Sequence, residues 1–249
     1  MHDSLVNCAP AAVSRPPIRP VRALLFDLDG TLVDAETQTD EAVEVIVARY
    51  GIAGFRLPAA ETHGRTWAHA AEVIRTRTGI SVAADELAAE LLAYWNEATA
   101  DVKPLPGAAD ALRAAAARKL QLAVVSSSPH AVIDRFLEKL GAANLVDPRA
   151  RIGGDEVRHG KPDPEGFLTA ARVLEVDPED ALVFEDSWAG LLAARAAGMR
   201  SMFVTCCAEN IAENAKLATA SFTDYRSLPP SFWDQLVAGT LDLDGRSFT

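Results

Sequence analysis

Asp27 and Asp29 stand two residues apart after an apolar run, Ala23 to Phe26, and are followed by Gly30 and Thr31. In an extended chain alternate side chains share a face, so the two carboxylates point the same way. Adjacent carboxylates repel unless a cation sits between them or one keeps its proton. Gly30 permits a sharp bend, and Thr31 sets a hydroxyl beside the acids. Matching groups recur along the chain: Ser126 after the apolar Leu122 to Val125, Lys161 in a glycine-bearing loop, and Glu185 with Asp186 after Ala181 to Phe184. Singly, each has an ordinary reading: a helix cap, a surface lysine, a solvated acidic pair at a helix start. Together they suit phosphoryl transfer. Three of the acids can hold one Mg²⁺, a hard cation that prefers oxygen ligands. That ion offsets the repulsion between a carboxylate nucleophile and a phosphate dianion. Ser126 can donate to a phosphoryl oxygen, and Lys161 supplies a mobile positive charge. Asp27 as nucleophile gives an aspartyl phosphate, while Asp29 protonates the leaving oxygen and then activates water.

These groups meet only if their strands lie parallel, because the carboxyl ends of a parallel sheet open on one edge where ligands bind. From Gly107 onward the pattern supports this. Helical and strand-like segments alternate: Ala108 to Lys119, Leu122 to Val125, Val132 to Leu140, Phe167 to Leu174, Ala181 to Phe184, Leu192 to Ala196 and Ser201 to Val204. Such alternation predicts an α/β fold, a Rossmann-like parallel sheet with helices on both faces. Between the first acidic pair and this region the spacing is helical. Val43, Ile46, Val47 and Tyr50 form one stripe, ended by Gly51. Trp67, Ala70, Ala71 and Ile74 form a second, up to Gly79. Leu87, Leu91, Leu92 and Trp95 form a third, with Asp85 as its expected cap. Residues 35–102 therefore read as an inserted all-helical cap. Lys103 to Gly107, rich in proline and glycine, reads as the hinge back to a core of residues 21–34 and 103–228. Asp242-Leu243-Asp244-Gly245 repeats the acidic signature but lacks the preceding strand and the following threonine. Residues 229–249 read as a C-terminal tail.

The chain has 249 residues and is 49% hydrophobic, enough for one sizeable core with a smaller lobe. A net charge of −11 argues against nucleic acid or an anionic membrane as partner. No run of about 18 apolar residues suggests a membrane span. Residues 1–20 hold four prolines and no apolar stretch, and read as a disordered tail rather than a signal peptide. Cys8, Cys206 and Cys207 show neither a disulfide framework nor metal-ligand spacing, which places the chain in a reducing compartment, the cytoplasm.

Taken in order, the segments resemble the four motifs of the haloacid dehalogenase superfamily of phosphohydrolases. These are Asp27-Leu28-Asp29-Gly30-Thr31, Val124-Val125-Ser126, Lys161 in Gly-Lys-Pro-Asp-Pro-Glu-Gly-Phe, and Phe184-Glu185-Asp186-Ser187. The resemblance runs from about Val21 to about Leu228. It implies a Rossmann-like core with a helical cap after the first motif. It also implies Mg²⁺ bound by Asp27, the Asp29 carbonyl and Asp186, with Glu185 nearby. The branch it most resembles is that of small sugar-phosphate phosphatases and β-phosphoglucomutase, so the expected partner is a small phosphorylated metabolite, a sugar or polyol phosphate. Dehalogenases lack the second acid, which is present here as Asp29. Phosphonate-cleaving relatives need a cap lysine, and none occurs between Ala35 and Asp101. A non-enzymatic phospho-acceptor module lacks both the Asp-x-Asp pair and the cap, and an inactive scaffold would not keep every motif residue. In this family cap segments usually choose the substrate; Thr31, Ser127 and the cap-loop residues His63, Arg65 and Trp67 are the candidate contacts. In the mutase pattern a cap-loop arginine and a Ser-Lys-Asn run hold a second phosphate. Here Trp67 falls at the arginine, and Ser128-Pro129-His130 follows Ser126-Ser127, so a phosphatase is expected rather than a mutase. Neither the particular ester nor the oligomeric state is legible at this level.

Overall fold

The computed structural model describes residues 19–249. The Pro-rich tail expected over 1–20 and Cys8 therefore lie wholly or almost wholly outside the described residues. Seven strands form one sheet: β1 (Ala23–Phe26), β2 (Gln121–Val125), β3 (Arg151–Ile152), β4 (Ala181–Glu185), β5 (Arg200–Val204), β6 (Ala220–Phe222) and β7 (Ser247–Phe248). Their order is β3-β2-β1-β4-β5-β6-β7 and every pairing is parallel. Central strands of such a sheet are covered on both faces, which is why Ala-Leu-Leu-Phe of β1 is apolar throughout and wholly buried. Phe26 is level with Val124 of β2 and Phe184 of β4. That register brings Asp27, Ser126 and Glu185 to the same edge. After β1 the chain fills one side of the sheet with β2 and β3, then crosses back to continue with β4. The reversal at β1 is the switch point where open α/β sheets leave a crevice.

The helices that follow β1 are α1 (Glu36–Arg49), α2 (Ala59–Thr62), α3 (Trp67–Thr78) and α4 (Ala84–Ala98). Val43, Ile46, Ala71, Ile74, Leu87, Leu91 and Trp95 are buried among them. Helix α3 is capped by Thr66, whose hydroxyl accepts from the His69 N–H at 3.3 Å, and it ends on Gly79 in the left-handed region. Asp85 is not the cap of α4. Ala83 holds that position, and Asp85 sits in the first turn, where a negative charge suits the helix dipole. The two connections to the cap run side by side: the Leu105 N–H donates to the Leu32 carbonyl at 2.9 Å, and the Asp34 N–H to the Lys103 carbonyl at 3.3 Å.

The remaining helices are α5 (Ala108–Ala117), α6 (His130–Lys139), α7 (Glu165–Val173), α8 (Trp188–Ala196), α9 (Ile211–Asn214) and α10 (Phe232–Ala238). The expected tail over 229–249 is corrected here: α10 and β7 belong to the core. Phe232 and Leu236 are buried, the Val21 N–H donates to the Leu236 carbonyl, and Leu241 and Leu243 are buried as well. The repeated acidic signature Asp242 to Gly245 forms the turn that leads into β7; its Gly245 N–H donates to the Thr219 carbonyl at 2.9 Å. Among the described residues, no helix is long and apolar enough to cross a membrane.

Candidate active site

Asp27 leaves the end of β1 buried, its N–H bonded to the Phe184 carbonyl at 2.9 Å. The chain then coils tightly, with the Leu32 N–H on the Leu28 carbonyl at 2.8 Å and the Gly30 N–H on the Val33 carbonyl at 2.7 Å. Gly30 is required twice over. Its φ is +79°, and a Cβ there would stand 2.0 Å from the Asp186 carboxylate. The Thr31 hydroxyl donates to Asp186 Oδ1 at 3.0 Å. Lys161 reaches in from the loop after β3 and donates to both Asp27 Oδ1 and Glu185 Oε1, the latter at 2.7 Å. The other oxygen of Glu185 accepts the Ser187 N–H (2.7 Å) and hydroxyl (2.9 Å). Ser187 in turn caps α8 through the Gly190 N–H. A Cβ at Gly190 would fall 1.6 Å from Glu185 Oε1, so the glycine is what admits the carboxylate.

Asp29 faces the second loop. Its Oδ2 accepts from Ser128 Oγ at 2.9 Å and, at the limit of a hydrogen bond, from Ser126 Oγ at 3.5 Å. Its Oδ1 is buried without a partner. Ser126 Oγ also accepts the Ser128 N–H at 3.0 Å. The motif residues thus converge on one edge of the sheet, although Lys161 arrives from a loop and not from a strand end.

Burial, together with Glu185 and Asp29, pushes Asp27 well above the usual aspartate range against the opposing pull of Lys161. Burial and Glu185 do the same to Asp186. Asp29 is raised to about 6 by burial, moderated by the Ser128 hydroxyl and the charge of Lys161. For Lys161 burial acts downward, but the attraction of Asp27 and Glu185 outweighs it and the ammonium is held firmly charged. Among the described residues Lys161 is the cation in direct contact with this group of four carboxylates, and Arg135 acts on Asp29 from farther off. The excess negative charge, the orphaned Asp29 oxygen and the all-oxygen donor set fit a hard divalent cation.

A fifth carboxylate lies on the cap side. Glu36, in the first turn of α1, is 5% exposed, and its pKa is raised by burial and by Asp186, Asp29 and Asp27. It lines a narrow cleft, partly open to solvent, together with Asp27, Asp29, Trp67, Trp95 and Ser128. Glu36 and Ser128 are the residues that sequence reasoning missed. An acid opening a helix reads as ordinary dipole compensation, and the third serine of a run is not distinguished from the first two.

The cap loop sits against the core. The Ser127 hydroxyl donates to the Gly64 carbonyl at 2.8 Å. Gly64, at φ +68°, has no room for a Cβ beside Ser187. Arg65 donates to the Lys161 carbonyl at 3.0 Å, with its guanidinium 5.7 Å from the centre of the Trp188 ring. It spans cap and core at the cleft wall. Trp67 packs edge-on against Trp95 at 6.1 Å and faces the cleft. His63 turns away. Its Nε2 lies 3.1 Å from Asp40 and 3.4 Å from Glu36, and its open side faces a neighbouring recess beside Asp186 and Trp188.

Residues 21–198 match the family model described as haloacid dehalogenase-like hydrolase. The chain belongs to the haloacid dehalogenase-like hydrolases. It is 38% identical over 198 residues to validoxylamine A 7′-phosphate phosphatase of Streptomyces hygroscopicus subsp. limoneus, covering 77% of this chain and 90% of that protein. It is 32% identical over 183 residues to fructose-1-phosphate phosphatase of Escherichia coli, covering 73% of this chain and 95% of that one. A crystal structure of β-phosphoglucomutase from Clostridium difficile superposes with a TM-score of 0.74 at 23% identity over 88% of this chain and 97% of that one, a likeness of fold. Within the family the chain is a phosphoric monoester hydrolase.

Proposed function

We propose that the chain hydrolyses a small sugar or polyol phosphate in two steps through Asp27. The observation that carries this reading is the division of labour between the two motif acids. Asp27 is held by the Lys161 ammonium, whereas Asp29 is free of direct cation contact, bonded to Ser128 and raised to about 6. A group with that pKa gives up and regains a proton near neutrality, as an acid–base catalyst must. In the first step an Asp27 oxygen attacks phosphorus, the ester P–O bond breaks, and Asp29 gives its proton to the leaving oxygen. In the second, Asp29 takes a proton from water, which attacks the phosphoryl group and returns Asp27 as a free carboxylate. Lys161 and Ser126 neutralise and orient the phosphoryl oxygens. Asp27, the Asp29 carbonyl and Asp186 would hold the Mg²⁺, with Glu185 nearby but engaged by Lys161 and Ser187, and the ion would supply positive charge against the phosphate dianion.

The polar wall of the cleft, Glu36, Thr39 and Thr62, faced by Trp67 and Trp95, supports a hydroxyl-bearing substrate. The name of the fructose-1-phosphate phosphatase relative supports the same class. Hydrolysis is favoured over mutase chemistry because the groups that would hold a second phosphate are missing or already engaged. Ser128 is bonded to Asp29, His130 to Glu156 at 2.8 Å, and Arg65 to the Lys161 carbonyl. The test is phosphate release from a panel of sugar, polyol and short-acid phosphates, with chelator and with restored Mg²⁺. Asp27→Asn should release no phosphate and form no phosphoenzyme detectable by intact-mass measurement. Undiminished turnover in that variant, or after metal removal, overturns the reading. Stoichiometric conversion of a hexose 1-phosphate to its 6-phosphate would establish the mutase instead.

A further inference from the structure

The run Ser126-Ser127-Ser128 after β2 divides its hydroxyls among different partners. The Ser127 hydroxyl goes to the Gly64 carbonyl of the cap loop at 2.8 Å. The Ser128 hydroxyl goes to Asp29 Oδ2 at 2.9 Å. Ser128 is buried, and its backbone is held on both sides. Its N–H donates to Ser126 Oγ at 3.0 Å, and its carbonyl accepts the Gly154 N–H at 2.9 Å. A Cβ at Gly154 would stand 2.3 Å from the Ser127 carbonyl oxygen, so the glycine is what lets that loop approach. Pro129 follows and disfavours helical backbone at Ser128, and α6 begins beyond it. The hydroxyl that meets Asp29 is thus carried on a fixed stretch of chain.

We propose, on the two-step reading of Asp27 and Asp29, that Ser128 is a positioning residue: it presets Asp29 for proton transfer and leaves Ser126 free for the phosphoryl group. At 3.5 Å the Ser126 hydroxyl is too distant to hold Asp29, whereas Ser128 stands at an ordinary bonding distance. The Ser128 N–H occupies a lone pair of Ser126 Oγ, which fixes how that hydroxyl is turned and leaves its hydrogen to give. On Asp29, Oδ2 accepts from Ser128, while Oδ1 is buried with no partner among the described residues. The proton of the acid form therefore belongs on Oδ1. As the ester P–O bond breaks, its electron pair stays on the leaving oxygen. The Oδ1–H bond breaks with it, and the leaving oxygen takes the proton. The carboxylate left behind keeps its bond from Ser128, which strengthens as Asp29 becomes charged. Without that bond the carboxyl is free to turn, and a misplacement of about 1 Å costs about a hundredfold in rate.

The test compares Ser128→Ala with the parent chain in saturating Mg²⁺ on two esters. One is the alkyl phosphate turned over best in the panel above. The other is p-nitrophenyl phosphate, whose leaving oxygen departs as a stable anion and needs no proton. Because kcat/KM reports events up to formation of the phosphoenzyme, the later use of Asp29 as a base does not enter. The expected result is a rise of about tenfold or more in the aryl-to-alkyl ratio of kcat/KM, through loss on the alkyl ester. Asp29→Asn should raise the ratio further in the same direction. Equal losses on both esters, as a merely structural role would give, or no loss on either, refute the positioning role. A ratio raised by Asp29→Asn but not by Ser128→Ala refutes this role alone. A ratio unchanged in Asp29→Asn refutes Asp29 as the acid, and the role of Ser128 with it.

Discussion

Replacing Asp29 by Asn should stabilise the metal-free protein while removing its activity. Asp29 is displaced from the ordinary 3.8 to about 6, burial being the leading cause. One pH unit corresponds to about 1.4 kcal/mol, so keeping this carboxylate ionised costs the fold about 3 kcal/mol, trimmed to about 2–3 because part of its surface is open to the cleft. The sign follows from linkage. Between pH 3.8 and about 6 the folded state binds more protons than the unfolded one, so stability from this group is fully present below pH 3.8 and is lost as the pH rises through about 6. Asn keeps the shape, has no charge to bury and can still accept from Ser128. Thermal melts of chelated protein should therefore show the two chains alike near about pH 4 and Asp29→Asn more stable above about pH 6, with a Tm higher by roughly 5–10 °C. Saturating Mg²⁺ should narrow the gap, because a cation offsets the same repulsion. An equal gain at both pH values, or none at either, refutes the reasoning.

Three other substitutions probe the frame around these acids. Lys161→Met leaves Asp27 and Glu185 buried without their cation and should cost about 3–5 kcal/mol near neutral pH; the loss should shrink on acidification as the carboxylates take up protons, measured by denaturant melts at two pH values. Gly190→Ala drives a methyl into Glu185 and should cost at least about 3 kcal/mol by breaking the same buried pair, with loss of turnover; a variant that melts like the parent would contradict this. Arg135 on α6 donates to the Asn96 carbonyl at 3.2 Å and to the Thr99 hydroxyl at 3.0 Å, clasping the carboxyl end of α4. Arg135→Ala should loosen that end by about 1–2 kcal/mol, read as faster hydrogen exchange over residues 96–100 with the sheet unchanged.

What could be read in advance follows from how each feature is specified. Asp27, Asp29, Ser126, Glu185 and Asp186 were legible because a parallel sheet sends every strand's carboxyl end to one edge, so sequence order alone places them together. The long helices α1, α3 and α4 were legible from apolar stripes whose buried members, such as Val43, Ile74 and Leu91, recur at helical spacing. Strands β3 and β7, of two residues each, are too short for an alternating pattern to register. Helix α10 is 7 residues long, so Phe232, Trp233 and Leu236 make a stripe of less than two turns, too short to stand out as a pattern. The cap-side contributions were hidden for a different reason. Glu36, Gly64 and Arg65 stand out for what the helical insert brings opposite them: the carboxylate cluster, Ser187, and the Lys161 carbonyl. No local pattern encodes a contact across two lobes, and Ser128 meets Asp29 only through the turn after β2. The groups that the proposed reading assigns to phosphoryl transfer are thus written mostly in the strand ends. The cleft that the proposed reading assigns to substrate selection is lined by Glu36 and Trp67 beside Asp27 and Asp29, and neither carries a motif of its own.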